Sequence, residues 1–89
     1  MIVKDYFEVL GYEVRDRVTG HSGVADSVCF DLYGCVMISI IPKYEKGKER
    51  QSGSWYDHKR VEKISKKRVM ELPGFVFGSE AGPADKAPR

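Results

Sequence analysis

The chain has 89 residues, of which 42% are hydrophobic and 31% charged, and its formal net charge is +2 at pH 7. A chain of this length forms one domain with a small core, and self-association is one usual way to extend such a core. No apolar run approaches the 18 residues of a membrane helix, and acidic residues interrupt the apolar N-terminal stretch. Neither a membrane span nor a signal peptide is predicted, and we expect a cytoplasmic protein.

The charge is unevenly distributed along the chain. Residues 1–42 carry three Lys or Arg and six Asp or Glu, whereas residues 43–68 carry ten and four, a net charge of +6. A basic segment in a nearly neutral protein suits an anion-binding surface, a solvated rim, or a complement to the acidic portion of a neighbouring subunit.

The first elements in chain order are an apolar lead-in and a series of short strands. Residues 2–10 have apolar positions near a helical repeat, which predicts a short helical or irregular segment ended by Gly11. Alternation and β-branched residues then predict five strands. These are residues 13–18, 24–32, 35–41, 54–56 and 61–64.

Small polar residues and glycines mark the connections between these strands. Thr19 and Gly20 supply a turn, and Gly23 indicates a bulge or a close backbone approach. Residues 31–34 form a hairpin connection ending in glycine. Asp57 is placed to cap a helical turn at residues 58–60.

The third predicted strand, residues 35–41, is apolar at almost every position. A half-exposed strand would alternate apolar with polar residues, so this pattern predicts burial of both faces. The second cover would be the N-terminal segment or a second subunit.

The C-terminal part divides into an arm and a tail. The apolar patch of residues 75–77 is expected to dock on the barrel or to contact a partner. From Ser79 onward the composition is that of a disordered tail. The predicted organisation is therefore an N-terminal extension at residues 1–10, a barrel at 11–65, and an arm and tail at 66–89.

The two cysteines are too few for a disulfide scaffold. Cys29 and Cys35 flank the predicted hairpin, where a cross-strand disulfide is geometrically conceivable. In a reducing cytosol, the better interpretation is that the two cysteines are small apolar side chains packed side by side. No paired spacing with His21 or His58 indicates a metal site, and the sequence predicts no cofactor.

The spacing of glycines and their neighbours forms a recognisable pattern. Its members are Gly11, Val14, Asp16, Val18, Thr19, Gly20, Gly23, Tyr33, Gly34, Cys35, Val36, Pro42, Gly47 and Asp57. The pattern covers residues 11–64 and resembles that of small uncharacterised proteins of phages and mobile elements. The resemblance implies an SH3-like barrel and carries no activity with it.

A second, weaker similarity involves the start and the end of the predicted barrel. Residues 11–15, Gly-Tyr-Glu-Val-Arg, and the last strand are similar to segments of the plasmid-borne type II dihydrofolate reductases. Those enzymes are tetramers around a pore lined by a Val-Gln-Ile-Tyr segment. The aligned residues here are Gly-Ser-Trp-Tyr at 53–56, so only the tyrosine is shared. This resemblance implies barrels that assemble around a shared ligand site.

Aromatic and basic residues are the candidates for a ligand surface, because aromatic rings stack on bases or proline rings while basic residues hold phosphates. The predicted ligand-binding residues are Tyr33, Tyr44, Trp55, Tyr56, His58 and Arg60. Alternation buries one of the neighbours Trp55 and Tyr56, and we expect Trp55 to be the buried one.

Nucleic-acid binding is an alternative based on the basic segment, although four acids interrupt its positive charge. The residues that would carry it are Lys59, Arg60, Lys63, Lys66, Lys67 and Arg68. No nucleophile context surrounds His21 or His58, so both are expected to be exposed turn residues and no catalytic residue is assigned.

The sequence therefore predicts an all-β, SH3-like barrel of about five strands with an N-terminal extension and a C-terminal arm. We expect a binding or adaptor protein rather than an enzyme. It is predicted to form a homo-oligomer, to bind a protein or a small-molecule ligand, and not to bind a membrane. A nucleic-acid binder, or a small-molecule site or enzyme at an oligomer interface, are the open alternatives.

Overall fold

The computed structural model describes residues 3–74 of the chain, and the predicted apolar patch and tail lie outside these residues. Within this part, a short helix α1 is followed by a first 3₁₀ turn, five strands, and a second 3₁₀ turn between the last two strands. The bounds are α1 Val3–Tyr6, first turn Phe7–Val9, β1 Glu13–Asp16, β2 Ser22–Phe30, β3 Val36–Ile41, β4 Ser54–Asp57, second turn His58–Arg60 and β5 Val61–Lys63.

The strands form one antiparallel sheet in the order β4-β3-β2-β1-β5. In a flat sheet, the two edge strands would lie about 19 Å apart across four strand spacings. Only the second 3₁₀ turn joins them, and four residue steps span at most about 14 Å. The sheet must therefore curl until its edges approach each other at this turn.

This architecture confirms the predicted all-β fold of about five antiparallel strands. It is consistent with a small barrel-like fold, but the sheet is not closed, because no ladder in the described residues pairs β4 with β5. The predicted lead-in is also confirmed as α1 and the first 3₁₀ turn, and Gly11 follows them with a φ of +87°.

Gly23 lies where β2 passes closest to the end of β3. A Cβ atom built on Gly23 would stand 2.2 Å from the carbonyl oxygen of Ile41. No larger residue fits without moving one of the two strands, so the predicted close backbone approach is confirmed. Two positions further along, a bulge between Ala25 and Ser27 shifts the register of β2 against β3.

The core forms on the inner face of the curled sheet. Its fully buried members are Val14, Ala25, Ile38 and Ile40. Tyr56 of β4 packs against this cluster, whereas Trp55 is 50% exposed on the opposite face. The prediction that Trp55 is the buried aromatic is therefore wrong, because the register places Tyr56 opposite buried Ile38 and Trp55 opposite Ser39.

The prediction that the third strand is buried on both faces is only partly right. Val36, Ile38 and Ile40 are buried on the inner face, and Ser39 is buried on the outer face. Ile41, at the outer end of the strand, is 37% exposed. The aromatic rings of the N-terminal segment, which were one predicted cover of this face, pack elsewhere.

Those N-terminal rings lie against β2 and the second 3₁₀ turn. Tyr6 meets Phe30 edge-on at a centroid distance of 5.6 Å and His58 at 4.9 Å. Phe7 meets Phe30 at 6.0 Å. The N-terminal segment is thereby fixed at the end of the curled sheet where β4 leads into β5.

The start of the C-terminal arm fastens the same segment from the other side. The Arg68 side chain donates hydrogen bonds to the carbonyl oxygens of Leu10 (2.9 Å) and Glu8 (2.7 Å). The Val69 N–H donates to the Gly11 carbonyl at 2.6 Å. A cationic side chain and a neighbouring backbone N–H therefore bind carbonyl groups at the end of the N-terminal segment.

Candidate binding site

An ion pair with a buried carboxylate joins the second 3₁₀ turn to β1. Asp16 has no exposed surface and accepts two hydrogen bonds from the Arg60 guanidinium, at 2.8 and 2.7 Å. It also accepts a hydrogen bond from the Thr19 N–H at 3.0 Å. The bond from Arg60, more than any other interaction, holds the pKa of the Asp16 carboxyl well below its usual range, despite the opposing effect of burial.

The Tyr56 ring contacts two nitrogen-bearing side chains, those of Arg60 and His21. The guanidinium carbon of Arg60 is 5.2 Å from the ring centroid, and the His21 ring stacks on Tyr56 at 5.8 Å with an interplanar angle of 27°. The His21 Nε2 atom is buried without a hydrogen-bond partner in the described part of the chain. The predicted turn histidine is therefore packed rather than freely exposed.

A cleft of about 450 Å³ opens between the N-terminal segment, the second 3₁₀ turn and β5, and we call it the β5 cleft. Its lining residues are Asp5, Tyr6, Glu8, Val9, Arg17, Ile38, His58, Val61, Glu62 and Lys63. Val9, Ile38 and Val61 supply apolar surface, and the Tyr6 and His58 rings are in edge-to-face contact beside it. The volume lies within the usual range of ligand pockets.

Ion pairs cross the rim of the β5 cleft. Lys63 Nζ lies 2.7 Å from a carboxylate oxygen of Glu8, and this hydrogen bond is the main reason why the pKa of Glu8 is lowered. On the other side, Glu62 accepts hydrogen bonds from Arg15 and lies 3.9 Å from Arg17. These pairs order the long side chains around the opening.

Three of the predicted ligand-binding residues come together around the second 3₁₀ turn. His58 lines the β5 cleft, Tyr56 packs on the core, and Arg60 is bound to Asp16. Asp57 caps the turn as predicted, because its carboxylate accepts the Lys59 N–H at 2.9 Å. Of these three residues, only His58 lines the β5 cleft.

The other three predicted residues are separated from this turn. Tyr33, at the tip of the β2–β3 hairpin, is 86% exposed. Tyr44 is exposed in the loop after β3, and Trp55 lies on the outer face of the sheet. The six aromatic and basic residues therefore do not form one continuous surface.

Half of the predicted nucleic-acid-binding residues are held by other groups of the chain. Arg60 binds Asp16, and Lys63 and Arg68 both bind Glu8. Lys63 and Arg68 also lie over the Tyr12 ring, at 4.4 and 4.6 Å from its centroid. The remaining members are exposed, and they are Lys59, Lys66 and Lys67.

Residues of the N-terminal segment were missed as site residues by the sequence analysis. Tyr6 and Val9 line the β5 cleft, and their helical spacing was the available signal. Asp16 was also missed, although an acid on the same strand face as core Val14 indicates a buried cationic partner.

The cysteines lie on the outer face near the β2–β3 hairpin. Both are exposed free thiols, and Cys29 pairs in register with Met37 rather than with Cys35. The nearby Asp31 carboxylate, more than any other group, raises the pKa of the Cys35 thiol. Between residues 3 and 74, no group of three or more His, Cys, Asp or Glu side chains is arranged to hold a metal ion.

Comparisons with known proteins leave the site to be interpreted from its own geometry. No protein-family model, no curated protein and no solved structure matches the chain significantly. None of the helices within residues 3–74 is long and apolar enough to cross a membrane.

Proposed function

We propose that this protein is a non-catalytic binding or adaptor module that holds a segment of a partner protein in the β5 cleft. The observation that carries the proposal is the cleft itself, which apolar side chains, two aromatic rings in contact and ion-paired charged side chains line together. Sites of this kind recognise a ligand by burying an apolar group and orienting it with a few polar contacts.

The structure around the cleft supports a rigid site. The Asp16–Arg60 pair fixes the second 3₁₀ turn, and Arg68 fixes the N-terminal segment through two backbone carbonyls. A ligand would therefore meet walls that are already in place, and little conformational entropy would be lost on binding.

Nucleic-acid binding has less support. Phosphate recognition needs basic side chains that are free to exchange counterions for phosphates. Arg60, Lys63 and Arg68 already have carboxylate partners, so the exposed lysines would have to carry the interaction alone. This alternative stays a prediction, and it requires an affinity that falls steeply as salt is added.

Self-association also stays a prediction. The outer face around Trp55 and Ile41 is where a second subunit would bury exposed apolar surface. Light scattering at low and high salt, on the wild-type chain and on Trp55→Glu, tests it. A dimer or tetramer that the substitution converts to monomer supports this surface, and a wild-type monomer at both salts contradicts self-association.

A peptide selection tests the proposed function. A phage-displayed library of random dodecapeptides is selected on the wild-type protein, and the enriched peptides are measured by fluorescence polarisation. We expect His58→Ala to weaken binding at least about tenfold, because the ring forms a wall of the cleft. Trp55→Ala is the matched aromatic control on the opposite face and should leave the affinity unchanged.

The opposite pattern would contradict the proposal. If Trp55→Ala abolishes binding and a correctly folded His58→Ala does not, the partner binds the outer face. If no peptide binds and a labelled single-stranded oligonucleotide does, with a steep salt dependence, the basic segment is the functional surface.

A further inference from the structure

Among residues 3–74, no strand pairs with one edge of β5. Within that part of the chain, β5 lies at the end of the sheet and pairs with β1 alone. The Arg17 N–H donates to the Arg60 carbonyl, and the Ile64 N–H donates to the Glu13 carbonyl, both at 2.8 Å. Because backbone groups alternate in direction along an antiparallel strand, those of Val61 and Lys63 point away from β1.

Among the described residues, nothing pairs with three of these outward groups. The Val61 N–H is used by the second 3₁₀ turn, where it donates to the His58 carbonyl. The Val61 carbonyl, the Lys63 N–H and the Lys63 carbonyl have no hydrogen-bond partner within the described part of the chain. Unpaired groups of this kind form a template to which another strand can add.

The free edge coincides with the β5 cleft. Val61, Glu62 and Lys63, which make up the whole of β5, all line the cleft, and so do apolar Val9 and Ile38. A strand added to this edge would have its backbone beside the unpaired groups. One face of that strand would direct a side chain onto the apolar surface of the cleft.

Exposed lysines flank both ends of this edge. Lys59 precedes β5 by two positions, and Lys66 and Lys67 follow it by three and four. None of the three forms an ion pair with another residue of the part that the structure describes. A strand added to this edge would therefore have exposed lysines near both of its ends.

We propose that the ligand of the β5 cleft is an extended peptide segment, with an apolar residue at its centre and acidic residues at its ends, that adds as a strand to the free edge of β5. The inference rests on the proposed function and deepens it. Main-chain hydrogen bonds would supply affinity, the apolar surface would select the central residue, and the lysines would select the acidic ends.

Two peptide libraries test the charge requirement. Both display dodecapeptides with eight random central residues, and one has two glutamates fixed at each end while the other has two lysines. We expect enrichment on the wild-type protein only from the glutamate library. Equal enrichment from both, or enrichment only from the lysine library, would overturn the acidic specificity.

A pair of substitutions at Lys63 tests strand addition with the enriched peptide. Lys63→Pro removes the outward N–H, and proline is tolerated at an edge strand position where that N–H is not used in the sheet. Lys63→Ala keeps the N–H and removes the same side-chain contacts with Glu8 and Tyr12. We expect Lys63→Pro to weaken binding at least about tenfold relative to Lys63→Ala, because a carbonyl of the peptide is left unpaired.

Amide hydrogen exchange on the wild-type protein keeps the test decisive if Lys63→Pro does not fold. Adding the peptide should slow exchange of the Lys63 N–H, and exchange that is unchanged would overturn strand addition.

If His58→Ala weakens binding and Lys63→Pro binds as Lys63→Ala does, the cleft is a binding site without strand addition. If no peptide binds and the Lys63 amide is protected in a dimer, the occupant of the edge is a second copy of the chain. If no peptide binds and that amide exchanges freely, the proposed function fails as well.

Discussion

Asp16 of β1 and Arg60 of the second 3₁₀ turn form a two-point ion pair, in which the carboxylate is wholly buried and 44 positions separate the residues in sequence. The pair joins the start of the sheet to its last connection, so it determines where β5 and the β5 cleft lie. A buried carboxylate of this kind is tolerated only with a charged and hydrogen-bonded partner.

Removing the charge of Asp16 should destabilise the fold. In Asp16→Asn, Arg60 loses its charged acceptor and the amide cannot accept both guanidinium bonds and the turn N–H groups. We expect a clear fall in the thermal unfolding midpoint. Glu62→Gln, which weakens the exposed pair with Arg15, should change the free energy of unfolding by less than about 1 kcal/mol. Equal effects of the two substitutions would show that the buried pair does not fix the fold.

The same carboxyl should control stability in acid. Its pKa is lower in the folded protein than in the unfolded chain, so its stabilisation is present above the unfolded pKa near 4 and is lost as the pH falls through the folded pKa. We expect denaturant unfolding to show stability that decreases from about pH 5 towards pH 2. Asp16→Asn should flatten this decrease, whereas Asp26→Asn, at an exposed position of β2, should retain it. A wild-type curve as flat as that of Asp16→Asn would contradict this role.

Gly23 should be the least replaceable glycine between β1 and β3. In Gly23→Ala the new methyl group would meet the Ile41 carbonyl, and the two strands would have to separate. The control Gly34→Ala has open space and only the strain of a φ of +90°, which costs about 1–2 kcal/mol. We expect Gly23→Ala to lower the free energy of unfolding by more than Gly34→Ala, measured by urea denaturation. The reverse order would mean that β2 and β3 do not meet as closely as described.

The two neighbouring aromatics of β4 should differ sharply in their contribution to stability. Tyr56→Ala removes a ring that packs on the core, and we expect a loss of about 2–4 kcal/mol. Trp55→Ala removes a half-exposed ring and should cost about 1 kcal/mol or less. Urea denaturation of both variants measures the difference. If Trp55→Ala lowers the free energy of unfolding by more than Tyr56→Ala does in a monomeric sample, then Trp55 and not Tyr56 faces the core. That result would contradict the described orientation of β4.

The local features of the fold were predictable because short-range signals encode them. The turn at Gly20, the close approach at Gly23 and the cap at Asp57 each follow from one residue type at one position. The choice between Trp55 and Tyr56 was not predictable in this way. It depends on the register of β4 against β3, which contacts distant in sequence set.

Two residues of the candidate site were predictable, and its assembly was not. His58 was singled out for the ligand surface and Lys63 for the nucleic-acid alternative, and both line the cleft. The other lining residues come from the N-terminal segment, the turn after β1, β3 and the rest of β5, so only the folded chain brings them together. The basic segment overstated the surface available to a nucleic acid. The sequence shows how many lysines and arginines the segment holds, but it does not show that Arg60, Lys63 and Arg68 form ion pairs with carboxylates of the same chain.

Mapping of amide chemical shifts during titration with a selected peptide would test the proposed binding site most directly. Uniformly ¹⁵N-labelled protein is titrated, and the shift changes are assigned to residues. Binding in the β5 cleft requires the largest changes at Tyr6, His58 and the three residues of β5, with little change at Trp55 and Ile41. Changes confined to Trp55, Ile41 and their neighbours on the outer face would contradict it.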